Sequence, residues 1–142
     1  MGSLSKADYE DLAEFRYQLR RFLRFSEEVT HRKGITVLQY LLLLQIKGYP
    51  GREWATVGEL TERLQAKQHG AVALISRCEA SGLVERYPSA ADKRRVEVRL
   101  TPKGEHRLEQ LAELHRRELA SRQGRFKVPR LDIYETGETP LA

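Results

Sequence analysis

Apolar positions in the first thirty residues recur at helical spacing. Leu12, Phe15, Leu19, Phe22, Ser26 and Val29 alternate three and four apart, a heptad-like seam that Leu23 and Phe25 widen. The spacing predicts a helix over residues 5–33. A helix of that length exceeds what a small domain can cover, so a second subunit is expected against part of the seam.

Thr36 and Gln39 have capping-box spacing, which starts a second helix whose hydroxyl and amide satisfy free backbone N–H groups. Leu38, Leu41 to Leu44 and Ile46 make it apolar nearly all round, the pattern of a buried core helix. Gly48 ends it, and Tyr49-Pro50-Gly51 reads as a turn. Thr56 and Glu59 repeat the capping box before a short helix with Val57, Leu60 and Leu64 inward. After a brief turn at Gln65-Ala66-Lys67, another helix runs to about Ser81, burying Ala71, Leu74, Ile75 and Cys78. Gly82 suits the left-handed position beyond its end. Two short helices joined by about three residues form a helix-turn-helix.

At this point the period changes to two. Leu83 to Tyr87 reads as a strand that Pro88 stops, and Ser89 to Arg94 is a polar loop. From Arg95 to Leu100, Val96, Val98 and Leu100 share one face while Arg95, Glu97 and Arg99 share the other. A β-hairpin with a cationic tip follows directly on the helix-turn-helix, which is a winged helix. Thr101 as N-cap and Pro102 at the first helical position start a last helix, with Leu108, Leu111, Leu114, His115 and Leu119 on one face. Beyond Gly124 the period is weak; Phe126, Val128, Leu131, Ile133 and Tyr134 are the residues with which such a tail drapes over a partner. The expected class is mainly α with a small β-hairpin wing (α+β).

Composition narrows the setting. At 142 residues, with 40% apolar and 32% charged, the chain fits one globular domain. Cys78 stands alone, so no disulfide forms within the chain and a reducing compartment is expected. No apolar run, Tyr40 to Leu44 included, exceeds five residues, far short of the ~20 that span a bilayer. The first residues carry no signal-peptide stretch. Together these predict a cytoplasmic protein. Of the net charge of +5, residues 65–107 hold +4, with nine basic against five acidic side chains. This cationic zone coincides with the helix-turn-helix and hairpin, as expected of a module that binds a polyanion.

The second helix of the pair would offer its N-terminal end and outward face to a major groove. Its candidate contacts are Lys67, Gln68, His69, Val72, Ser76 and Arg77. Gln68 is able to pair bidentately with adenine and Lys67 to reach guanine or phosphate, while Ser76 and Arg77, two turns in, suit phosphate. Lys93, Arg94 and Arg95 at the hairpin tip suit a narrow, electronegative minor groove. Asp92, two residues before Arg94, is expected to orient the tip by accepting from the guanidinium or the turn backbone.

The stretch from Asp92 to Gly104, DKRRVEVRLTPKG, resembles the wing signature of the MarR family of bacterial transcription regulators: Asp92, Arg94, Leu100, Thr101 and Gly104 match it position by position. Thr56 to Leu64 and Ala80 to Arg86 are similar to the family's first motif helix and its junction into the wing. Many members of that family carry Arg where this chain has Ala73, and Ser or Thr where it has Gly70 and Val72. The resemblance implies one MarR-like domain over 1–142. Residues 5–33 and 102–142 would form the dimerisation region. Residues 36–100 would form the winged helix-turn-helix, with the motif at 56–81 and the wing at 83–100. It implies a homodimer on a pseudo-palindromic duplex operator, in a bacterial or archaeal cytoplasm at the nucleoid. The expected role is a repressor released by a small-molecule effector, whose pocket would draw on Arg16, Arg20, His31, Tyr40 and Trp54.

Other chemistry finds little support. There is no phosphate-binding glycine loop, G-x-S-x-G elbow or H-E-x-x-H, so no enzyme is expected. His31, His69, His106 and His115 lack metal-site spacing, so neither metal nor cofactor is expected. Cys78 lies in an apolar row, where a thiol is slow to react, which weighs against a thiol-based redox sensor. A winged-helix module that binds protein instead of DNA is the other alternative.

Overall fold

The computed structural model describes residues 2–129; Leu131, Ile133 and Tyr134 of the tail lie outside the described residues. The elements are α1 (Lys6–Arg32), α2 (Val37–Lys47), β1 (Trp54–Thr56), α3 (Val57–Arg63), α4 (Gln68–Ala80), β2 (Val84–Pro88), β3 (Val96–Leu100) and α5 (Pro102–Ser121). They divide into two compact units. One is Ser26–Arg116; the other joins the residues up to Phe25 with those from Arg117 on.

In the Ser26–Arg116 unit, local chemistry starts three of the helices. Thr36 and Thr56 each form a complete capping box, with Gln39 and Glu59 respectively. Thr101 Oγ1 accepts from the Gly104 N–H at 3.0 Å, so the last helix is capped by the residue that precedes its proline. Gly82 takes φ +75° after α4, a conformation that a side chain resists. The core is Leu42, Leu43, Ile46, Leu60, Ile75 and Leu83, closed by Val84, Val98 and Leu111. α2 packs against α3, α4, β1 and β3. Its expected all-round burial is corrected at Leu38: this residue sits in the first turn, outside the packed face, and is exposed.

The hairpin belongs to a three-stranded antiparallel sheet of order β1-β3-β2. Trp54 pairs with Arg99 and Thr56 with Glu97 across β1 and β3. A three-residue strand is too short to show a period-two pattern, so it leaves no signal in the sequence. β2 also runs one residue further than expected. Pro88 still pairs with Val96, because β2 is an edge strand and the missing N–H faces no neighbour.

One junction ties sheet to helix. The Leu83 carbonyl accepts from the Thr101 N–H at 3.0 Å, and the Thr101 hydroxyl donates to the Gly82 carbonyl at 2.6 Å. A Cβ on Gly104 would lie 2.0 Å from the Leu83 oxygen. Position 104 therefore admits glycine alone, not for its φ but because a backbone carbonyl occupies the side-chain space.

The other unit is thinner. Phe126 meets Phe15 and Phe22 with ring centroids 5.8 and 6.3 Å apart. Buried Arg122 pairs with Glu118 at 2.6 Å and donates to the Gln18 amide oxygen at 3.3 Å. Tyr9, Leu12, Tyr17, Leu23 and Leu119 are exposed on this side of the division.

Candidate nucleic-acid interface

α4 has two unlike faces. Ala71, Leu74, Ile75 and Cys78 are buried, while Lys67, Gln68, His69, Val72, Ser76 and Arg77 are all exposed. His69, Val72, Ala73 and Ser76, spaced at i, i+3, i+4 and i+7, form the outward stripe. Lys67 is the N-cap of α4 and supplies no side-chain hydrogen bond to it, unlike the caps of α2, α3 and α5. A helix N-terminus that lacks a side-chain cap favours an anion there.

The wing tip is built by short-range acceptors. Ser89 is buried, and its hydroxyl accepts from the N–H groups of Ala91 and Asp92 at 3.3 Å each. The Asp92 carboxylate accepts from the Arg94 N–H at 3.0 Å and from Arg94 Nε at 3.3 Å, with Arg95 Nε at 4.0 Å. These bonds to Arg94, with the nearby Arg95 charge, hold the Asp92 carboxyl below the usual carboxylate range. The arrangement leaves the cations outward: the side chains of Arg94 and Arg95 are 92% and 70% exposed. A cleft of about 550 Å³ runs between the start of α3 and the tip side of the wing, from Thr56 and Val57 to Arg94 and Val96.

Two further groups were not singled out by the sequence. Arg86, on β2, reaches back to α4. It donates to Glu79 Oε1 at 2.7 Å and to Ser76 Oγ at 3.0 Å, and its backbone N–H bonds Glu79 Oε2 at 3.2 Å. The wing is thereby braced onto the helix that precedes it. The second group centres on Glu59, which accepts from the Tyr49 hydroxyl at 2.7 Å, from the Thr56 N–H at 2.9 Å and from Arg52. The Arg52 guanidinium lies 3.9 Å from the Trp54 ring centroid and 4.3 Å from that of Tyr49. Burial pushes the Glu59 carboxyl up, but the hydrogen bonds from Tyr49, Thr56 and Arg52 outweigh it and bring it down to about 2. In sequence these residues are a turn and a cap; only the fold shows that one carboxylate joins them.

The residues expected to line an effector pocket have separate surroundings. Tyr40 is buried and stacked on His115 at 4.4 Å, and Trp54 lies against Arg52. His31, Arg16 and Arg20 are exposed along α1. Cys78 is fully buried, and burial raises its thiol to about 11, against a smaller opposing effect of Arg77. Its thiolate, the reactive form, is therefore scarce at neutral pH. Among the described residues no group of His, Cys, Asp and Glu is placed to hold a metal ion, and no helix is long and apolar enough to cross a membrane.

A helix-turn-helix with an exposed second helix, followed by a three-stranded wing with outward arginines, defines a winged-helix protein. The MarR family model matches residues 33–95, and the likeness of the fold to solved MarR family structures extends over nearly the whole chain. A MarR family protein from Bacillus stearothermophilus superposes with a TM-score of 0.73 at 24% identity, covering 95% of this chain and 93% of that one. AbsC, a MarR family transcriptional regulator from Streptomyces coelicolor, gives 0.71 at 20% identity, covering 96% and 90%. A mutant MarR from E. coli in complex with operator DNA gives 0.64 at 28% identity, covering 82% and 80%. No curated protein sequence matches the chain.

Proposed function

We propose that the protein is a DNA-binding transcriptional regulator. Two copies would hold a pseudo-palindromic duplex, each with α4 in the major groove and the wing tip in the adjacent minor groove. The observation that carries this reading is the wing tip, where Asp92 spends its carboxylate on the turn and on Arg94 yet leaves the Arg94 and Arg95 side chains largely exposed. Cations held at the end of a thin ribbon suit a narrow groove between phosphates. The uncapped start of α4, beside Lys67, Gln68 and His69, supports the same reading from the major-groove side.

The homodimer is supported by the exposed apolar residues of the unit outside Ser26–Arg116, Leu12 and Leu23 among them. Action as a repressor released by a small effector rests on the family resemblance.

Binding of duplexes carrying selected genomic fragments, followed by fluorescence anisotropy across a salt series, tests the proposal. Each lost phosphate contact lowers the log–log salt slope by about 0.9. Arg94→Ala is expected to weaken binding to every duplex, and Gln68→Ala to change which duplex is preferred. Unchanged affinity in Arg94→Ala would remove the wing from the interface. No salt-dependent duplex binding by the intact protein would favour the protein-binding alternative.

A further inference from the structure

The outward stripe of α4 is apolar at its centre. His69 and Ser76 are its polar ends, and between them stand Val72, 39% exposed, and Ala73. Val72 does no work in the fold that its exposed side accounts for. The core side of α4 is completed by Ala71, Leu74, Ile75 and Cys78. Gly70, one turn from Ala73, has open space where its Cβ would be, so nothing inside the chain requires the small residue. Ser76 is partly committed, since its hydroxyl accepts from Arg86 at 3.0 Å. The cations Lys67 and Arg77 flank the stripe and do not interrupt it.

A helix lying in a major groove reads guanine through a cation bidentate on O6 and N7, and reads thymine through apolar contact with its 5-methyl group. The centre of this stripe has methyl groups and no cation. Resting on the DNA-binding reading above, we propose that Val72 and Ala73 specify thymine at the centre of each half-site by packing against its 5-methyl group. Gly70 leaves room beside them for the groove wall. The substrate class is thus a duplex whose half-site centres are T·A pairs, with any guanine preference confined to the ends of the stripe at Lys67, His69 and Arg77.

Replacing thymidine by deoxyuridine removes only that methyl group and keeps every Watson–Crick bond. The test starts from the tightest duplex selected from a random library by the full-length protein. Each half-site thymine is then exchanged for uracil in turn, in both half-sites, and Kd is measured at fixed salt. One or two positions are expected to weaken binding by about fourfold for each methyl lost. Val72→Ser, an exposed position whose retention of fold is checked by thermal melting, is expected to reduce that sensitivity. Arg94→Ala is expected to weaken thymine and uracil duplexes by the same factor. Sequence-selective binding with no uracil effect at any half-site position would overturn the thymine assignment while leaving the DNA-binding reading intact. The same holds if the uracil effect persists unchanged in Val72→Ser. Failure to select any duplex would overturn both.

Discussion

The two ends of α1 belong to different units and meet different conditions. From Ser26 to Arg32 the helix buries Ser26, Val29 and Thr30, and the Ser26 hydroxyl meets His115 Nε2 at 2.8 Å. Over the preceding twenty residues the only buried side chain is Gln18, while Leu12 and Leu23 are each 46% exposed. The same seam of apolar positions runs through both. Periodicity therefore reports which face of a helix is apolar, not whether the chain itself supplies the cover. The Ser26–Arg116 unit closes its own core; the other unit presents apolar surface of the kind that marks an interaction site.

That contrast breaks most sharply at Gly104. With the Leu83 carbonyl 2.0 Å from where a Cβ would stand, Gly104→Ala is expected to destabilise the Ser26–Arg116 unit by about 3 kcal/mol or more. Urea unfolding followed by circular dichroism checks this, and a loss below about 1 kcal/mol would show that the junction has slack.

Glu59 gives the next largest effect. Glu59→Gln keeps the shape but weakens the bonds from Arg52, Tyr49 and Thr56, with an expected loss of about 1–3 kcal/mol at neutral pH. The folded carboxyl is held at about 2 against an ordinary 4.5. Its contribution is therefore complete above about 4.5 and is lost as pH falls from there toward 2. Urea midpoints measured across that window are expected to fall less steeply in Glu59→Gln than in the parent chain.

The smallest effect on folding is expected from Leu12→Ser combined with Leu23→Ser. Exposed positions rarely change the stability of a fold by more than about 0.5 kcal/mol. If these leucines cover a second copy, sedimentation velocity at micromolar concentration will show the parent as a dimer and the double variant shifted toward monomer. A parent chain that sediments as a monomer would mean that the apolar surface serves some other partner.

The sequence announced most of the self-sufficient unit, and it did so wherever the determinant is local. Both capping boxes, the left-handed Gly82, the buried row of α4 and the alternation around Val98 depend on spacing within a few residues. Asp92 and Arg94 were legible for the same reason, being two residues apart in one turn. What stayed hidden depends on partners distant in the chain. β1 becomes a strand because β3, more than forty residues on, is there to pair with it. Arg86 and Glu79 are an ordinary charge pair until the turn between them folds α4 onto β2. Leu38 shows the converse, an apolar residue in an apolar helix that stays exposed.

The crowded meeting of Leu83, Thr101 and Gly104 has a mechanical meaning. The start of β2, the residue that leaves β3 and the first turn of α5 are all fastened within one peptide's reach. A close-packed contact of this kind has no give, so a tilt of the first turn of α5 must carry the root of the wing with it. The chain owns a rigid pivot there, and whatever leans on the helix moves the prong.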